Sequence, residues 1–151
     1  MHLVVSDNAS SMVNGVKGAN VQHLSCFLHT LNLVVKKSII VQESNIRLFS
    51  KCKAIVRLYK KSQTARAIFE DIVIEKYNGD LAKPHSMIQD IDIRWNSTFY
   101  MIERIVDEKD RLIKWIYDPR VKCTELITLE EWTKLENLVK TMKFLKQVTK
   151  Q

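Results

Sequence analysis

The pattern of apolar and polar positions divides the chain into a short β-prone start, a series of amphipathic helices and one alternating stretch near the middle. His2-Leu3-Val4-Val5-Ser6 reads as a strand that breaks off at Asp7-Asn8-Ala9-Ser10. Gly15 and Gly18 interrupt the pattern before a helix expected from about Val21 to Ile40, with Leu24, Phe27, Leu28, Leu31, Val34 and Val35 on its buried stripe. A second helix is expected from Glu43 to Lys61, where Phe49, Cys52, Ile55, Val56 and Tyr59 share one face. Ser62 can cap a third helix, carrying Ala65, Ile68, Phe69, Ile72 and Val73 and ending at Asn78-Gly79.

Met87 to Ile93 alternates apolar with polar residues and predicts a half-buried second strand. Asn96 or Ser97 then caps a long helix to about Trp115, which Asp118-Pro119 stops. Thr128-Leu129-Glu130-Glu131 is a capping box, with Ile127 and Trp132 at the spacing of a hydrophobic staple. The last helix carries Trp132, Leu135, Leu138, Val139, Met142, Leu145 and Val148. The first strand has no local partner and the last helix no stop signal, so the chain reads as cut from a larger fold at both ends.

Composition sharpens this reading. Three Gly and two Pro in 151 residues argue against disorder and against a turn-rich all-β fold. No apolar run approaches the roughly 20 residues of a membrane span, so no membrane partner is expected. Cys26, Cys52 and Cys123 are odd in number and widely spaced, which favours a reducing compartment, cytosolic or nuclear. The Asn-x-Ser/Thr matches at Asn8 and Asn96 are therefore read as chance.

The net charge of +7 is concentrated. Between Ser44 and Arg66 lie Arg47, Lys51, Lys53, Arg57, Lys60, Lys61 and Arg66, with no Asp or Glu among them. Such a stripe suits a polyanion, and it equally suits a solvated helix face. Asp7 is either a carboxylate at the rim of a sheet or a cap for the following turn. His23, Cys26 and His29 lie three apart, but a metal needs further ligands that no second pair supplies, so local packing is the expected role. Arg94-Trp95 offers either a ring that stacks on an unpaired base beside a phosphate-holding guanidinium, or a core plug.

Taken together, Val4-Val5-Ser6-Asp7-Asn8-Ala9-Ser10-Ser11-Met12, Cys26-Phe27-Leu28-His29-Thr30-Leu31-Asn32-Leu33-Val34-Val35 and Arg94-Trp95-Asn96-Ser97-Thr98 resemble the hAT superfamily of DNA transposases in order and approximate spacing. Leu129-Glu130-Glu131-Trp132 and the helix behind it are similar to the family's region downstream of Arg-Trp. Domesticated relatives with BED-type zinc fingers share these motifs. The resemblance implies an α/β, mostly helical fold: a partial ribonuclease H-like core of two strands plus helices over 1–95, leading into an all-helical insertion that starts at 96–151. It places Asp7 at the second of three carboxylates that hold two Mg2+ or Mn2+ ions for strand transfer. It places Trp95 at the aromatic that stacks on a flipped base, with Arg94 beside it, and matches Cys26 and His29 to a Cys-x-x-His pair near the active site.

The other two carboxylates, the zinc finger and the C-terminal dimerisation segment fall outside the resemblance, and Ser11 occupies a position where the family more often has Asn. One carboxylate cannot fix two cations, so the chain alone is expected to bind no metal and to transfer no strand. The expectation is a fragment or degenerate copy of a transposase that binds DNA in the nucleus. The alternative is a domesticated, non-enzymatic DNA-binding or protein-interaction module, with partners or self-association through the absent segment.

Overall fold

The computed structural model describes residues 3–7, 9–18, 21–72, 74–75, 81–82, 84–91 and 95–148. The fold is α/β and mostly helical, as expected, and divides into two compact units, residues 1–42 and 43–151.

In the first unit, β1 (Leu3–Ser6) leads into α1 (Ser10–Gly18) and then β2 (Gln22–Ser25). The two strands pair in parallel, Val4 opposite His23 and Ser6 opposite Ser25. The second strand is therefore not the alternating stretch at 87–93. It lies in the segment whose spacing suggested the start of a helix, because a β-α-β crossover gives β1 the partner that no hairpin could. Gly15 does not break α1, and a Cβ there would meet nothing within 4 Å. The following helix begins at Phe27, not Val21: α2 runs Phe27–Val35 and widens into a single looser turn over Lys36–Ile40, where the Val41 N–H reaches back five residues to the Lys36 carbonyl at 3.0 Å. Leu3, Val5, Leu24, Phe27, Leu28 and Val34 all lie exposed.

The second unit is helical. α3 (Glu43–Lys61) has the expected bounds, and Leu48, Phe49, Cys52, Ile55, Val56 and Tyr59 bury one stripe of it. The Ser62 hydroxyl accepts the Ala65 N–H at 3.1 Å and so caps α4 (Gln63–Asp71). This helix stops at Asp71, before the expected Asn78-Gly79, which lies outside the described residues. Ile72 and Ile74 are β-branched and favour extended chain, and Ile74–Glu75 (β3) pairs antiparallel with Leu81–Ala82 (β4).

Residues 84–91 are irregular, so the alternation at 87–93 makes no strand among the described residues. Met87 is buried while Ile91 is 63% exposed, an orientation set by anchors to neighbouring helices in place of a ladder. The expected long helix is two, α5 (Trp95–Asp107) and α6 (Lys109–Ile116), broken at Glu108. The Glu108 carboxylate turns inward, taking the His85 N–H at 3.0 Å, His85 Nδ1 at 2.7 Å and Arg111 Nε at 3.0 Å. Arg111, itself buried, lies over the ring of Phe69. Phe69 sits edge-on to both Tyr59 and Trp115, at 5.3 and 6.0 Å between centroids. The Trp115 Nε1–H donates to the Ala65 carbonyl at 2.6 Å, which satisfies the one polar atom of a fully buried ring.

α7 (Leu129–Val148) opens with the expected capping box. The Glu131 N–H donates to Thr128 Oγ1 at 3.3 Å, and the Thr128 N–H donates to Glu131 Oε2 at 2.9 Å. Lys51 of α3 adds what spacing did not show, since its Nζ reaches Glu131 Oε1 at 2.8 Å and the Leu126 carbonyl at 3.1 Å. Burial pushes the Glu131 carboxyl up. The bonds from Lys51 and the Thr128 N–H outweigh that and hold it below the usual carboxylate range. A carboxyl lowered on folding adds stability that is present above its unfolded value, near 4.5, and is lost as pH falls through the folded value. E131Q should therefore cost most in urea unfolding near neutral pH, and the gap to the wild type should close in acid below its folded value. A gap that does not change with pH would show that the charge is not what matters at this position.

Candidate nucleic-acid interface

α3 carries its cations on three arcs, and they do three different jobs. At about 100° per residue, Arg47, Ser50, Ala54, Arg57 and Lys61 line the arc opposite the buried stripe and span about 21 Å. Arg47 pairs with Glu43 one turn back, both side chains well exposed. Among the described residues, the side chains of Arg57 and Lys61 make no ion pair or hydrogen bond, and both are exposed. Lys60 is also exposed; its Nζ lies 3.5 Å from Ser86 Oγ and over the Tyr59 ring at 5.8 Å. Arg66 lies on α4, paired with Glu70.

The flanking arcs point elsewhere. Lys51 is committed to Glu131, and on the other flank Lys53 Nζ sits 3.0 Å from Asp90 Oδ2. The Asp90 side chain is 1% exposed, and it also accepts from Ser97 Oγ at 2.6 Å and from Thr98 Oγ1 at 3.2 Å. A buried carboxylate at the N-terminal turn of α5 meets both the helix dipole and a countercharge. Lys51 and Lys53 therefore work as structural clamps, and the outward arc holds the cations open to a polyanion.

The Arg-Trp-Asn-Ser-Thr segment contributes to the same clasp. α5 already begins at Trp95, so Asn96 and Ser97 lie inside its first turn and do not cap it, and Ser97 and Thr98 hold Asp90 instead. Trp95 is 4% exposed and packs 6.2 Å from Phe99, a core position and not the free ring that base stacking requires. Arg94 lies outside the described residues. The alternation of Met87 to Ile93 disguised the clasp in the sequence. The readable signal was an Asp seven and eight positions before a Ser-Thr pair.

In the first unit, Asp7 and Cys26 each follow one of the two parallel strands and so share a rim, joined by the Cys26 N–H donating to the Ser6 carbonyl at 2.8 Å. Ser6 Oγ and His23 Nε2 lie 2.7 Å apart across the strands, which gives His23 a local partner. Cys26 precedes the first residue of α2, and His29 follows one turn on, both half-buried. Asp7 Oδ1 accepts the Ala9 N–H at 3.2 Å, closing the turn into α1. This donor set does not fit a pair of divalent ions: among the described residues no three His, Cys, Asp or Glu side chains converge, and one oxygen of Asp7 is already engaged.

The clamp and the outward arc separate under mutation. K53M strands the Asp90 carboxylate in the interior and should cost about 3 kcal/mol in chemical denaturation. R57Q and K61Q on the solvent face should stay within about 0.5 kcal/mol of the wild type. Equal losses from all three would remove the distinction between clamping and outward cations.

Comparison with known proteins agrees with this architecture. The family described as the ZBED1 RNase-like helical domain matches residues 24–141. The chain is 30% identical over 146 residues to human "Zinc finger BED domain-containing protein 4", covering 93% of this chain and 11% of that protein. It is 31% identical over 144 residues to the maize "Putative AC transposase", covering 95% of this chain and 17% of that protein. A third relative, mouse "Zinc finger BED domain-containing protein 6", is 30% identical over 105 residues, covering 69% of this chain and 10% of that protein. The chain thus spans only between about a tenth and a sixth of these curated relatives' lengths. With the match running from β2 into the second half of α7, the chain belongs to the ZBED1 RNase-like helical domain family, related to both BED zinc-finger proteins and hAT-type transposases.

Proposed function

We propose that this chain is a nucleic-acid-binding module of a nuclear protein derived from an hAT-type transposase, and that by itself it transfers no DNA strand. The observation that carries the binding reading is the outward arc of α3, where Arg57 and Lys61 are exposed and, among the described residues, make no ion pair or side-chain hydrogen bond. Cations held this way can replace the counterions of a phosphate backbone without first breaking an internal pair. Relatives named as a transposase and as BED zinc-finger proteins make DNA the natural polyanion and the nucleus the natural compartment. The family division retained here is a core remnant over 1–95 and the start of a helical insertion over 96–151.

The inactivity reading rests on ligand arithmetic. Two divalent ions each need several oxygen ligands, and Asp7 supplies a single carboxylate. Cys26 and His29 are then rim residues that support the turn after β2. The fragment or degenerate copy and the domesticated binder share this chemistry. The near-equal identities to a transposase and to a BED zinc-finger protein favour neither one.

The test is a fluorescence-anisotropy titration with a labelled 20-base-pair duplex at several salt concentrations. Affinity should fall steeply with salt, and the double variant R57Q/K61Q should flatten the log–log slope by about 2 while the fold is kept. Absence of binding at low salt, or an unchanged slope in the variant, would overturn the assignment of this face.

A further inference from the structure

The C-terminal half of α7 carries a feature that neither clamping nor core packing uses. After Glu136 the helix has no acidic residue, and Lys140, Lys143 and Lys146 follow at three-residue steps. Phe144 lies among them, 66% exposed on a helix whose core positions Leu135 and Met142 are fully buried. Lys140 precedes Phe144 by four positions and Lys143 by three, so Lys140 neighbours each of them on the helix surface. Like charges at this spacing repel, and a bare phenyl ring in water carries an apolar cost; Glu136, one turn before Lys140, offsets only part of the first.

The neighbouring groups leave Lys140 and Lys143 exposed. Glu136, one turn before Lys140, is taken by Lys109 Nζ at 2.8 Å. Lys143 Nζ lies 4.0 Å from Glu103 Oε1, and its side chain is 64% exposed. Lys146 lies over Tyr100 at 4.2 Å and Phe99 at 4.9 Å from the ring centroids, which turns it toward α5; at about 100° per residue it stands about 160° round the helix from Phe144 and lies outside this surface.

The geometry points to a second nucleic-acid contact on α7, specific for unpaired strands: Lys140 and Lys143 hold consecutive phosphates while Phe144 stacks on an unstacked base. Lys140 and Lys143, both exposed and with no acid between them, call for a polyanion. An exposed ring flanked by cations calls for one that also offers flat apolar faces. A duplex hides the faces of its bases, so Phe144 discriminates by strandedness while the lysines do not. The surface differs from the α3 arc in helix, in chemistry and in preferred strand state.

The decisive experiment titrates the chain into a labelled 20-nucleotide oligothymidylate and, separately, into a 20-base-pair duplex. F144A should weaken the oligothymidylate by about 5- to 100-fold and leave the duplex within about twofold, the loss expected for one stacked base. F144W should retain single-strand binding, with its added exposed indole quenched on complex formation. K140E/K143E should weaken both probes and reduce both salt slopes. Loss of duplex binding in R57Q/K61Q with the Phe144 effect intact would support this surface as separate from α3. Duplex failure at low salt with the Phe144 effect intact would sink only the α3 reading. Unchanged oligothymidylate affinity in F144A, or a change only in oligomeric state by light scattering, would overturn the α7 contact.

Discussion

Lys53 and Lys51 leave α3 on opposite flanks, and the larger unit depends on where they go. One meets the buried carboxylate of Asp90, the other the capping-box carboxylate of Glu131. A carboxyl group with 1% of its side chain exposed has lost its water and needs partners inside the protein, and Lys53, Ser97 and Thr98 supply them. The clasp fixes the irregular chain before α5 against α3. The other lysine fixes the start of α7 and the Leu126 carbonyl. Between them, the aromatic run Tyr59, Phe69 and Trp115 fills the interior that α3, α4 and α6 share.

This use of charge divides one basic segment into two populations. The segment carries no acid of its own, so its partners come from outside it: Glu43 and Glu70, each one turn away, for Arg47 and Arg66, and the distant Glu131 and Asp90 for Lys51 and Lys53. Lys51 and Lys53 border the buried stripe and are drawn into ion pairs. Arg57 and Lys61 lie opposite it and remain in water. Counting lysines therefore overstates the surface open to a polyanion, and the helical angle of each one corrects the count.

The sequence made some of this legible and hid the rest for definite reasons. Local signals with a single mechanism came through well: the bounds of α3, the Ser62 cap and the Thr128–Glu131 capping box each depend on neighbours within one turn. Features decided by distant partners did not. β2 is read correctly only with the crossover that pairs it to β1, and the break at Glu108 needs Arg111 and the distant His85 together. Over its described part, residues 87–91, the alternating stretch forms no strand: Met87 and Asp90, three positions apart, face inward for unrelated reasons while Ile91 lies exposed. For the candidate site, the outward cations Arg57 and Lys61 were visible as part of a stripe. The structural duty of Lys53 was not, because its partner lies 37 positions away in an apparent strand. The family motif Arg-Trp-Asn-Ser-Thr was recognisable as a motif, while the part Trp95, Ser97 and Thr98 play in holding α5 required the fold.

The central claim is that α3 divides its cations between the interior and a nucleic-acid partner, and the most direct measurement is an NMR titration of the labelled chain with duplex DNA. Amide shifts concentrated along Arg47, Ser50, Ala54, Arg57 and Lys61, with the amides of Asp90, Ser97 and Glu131 unmoved, are the expected result. Shifts centred on the Asp90 clasp or the capping box, with the outward arc silent, would contradict it.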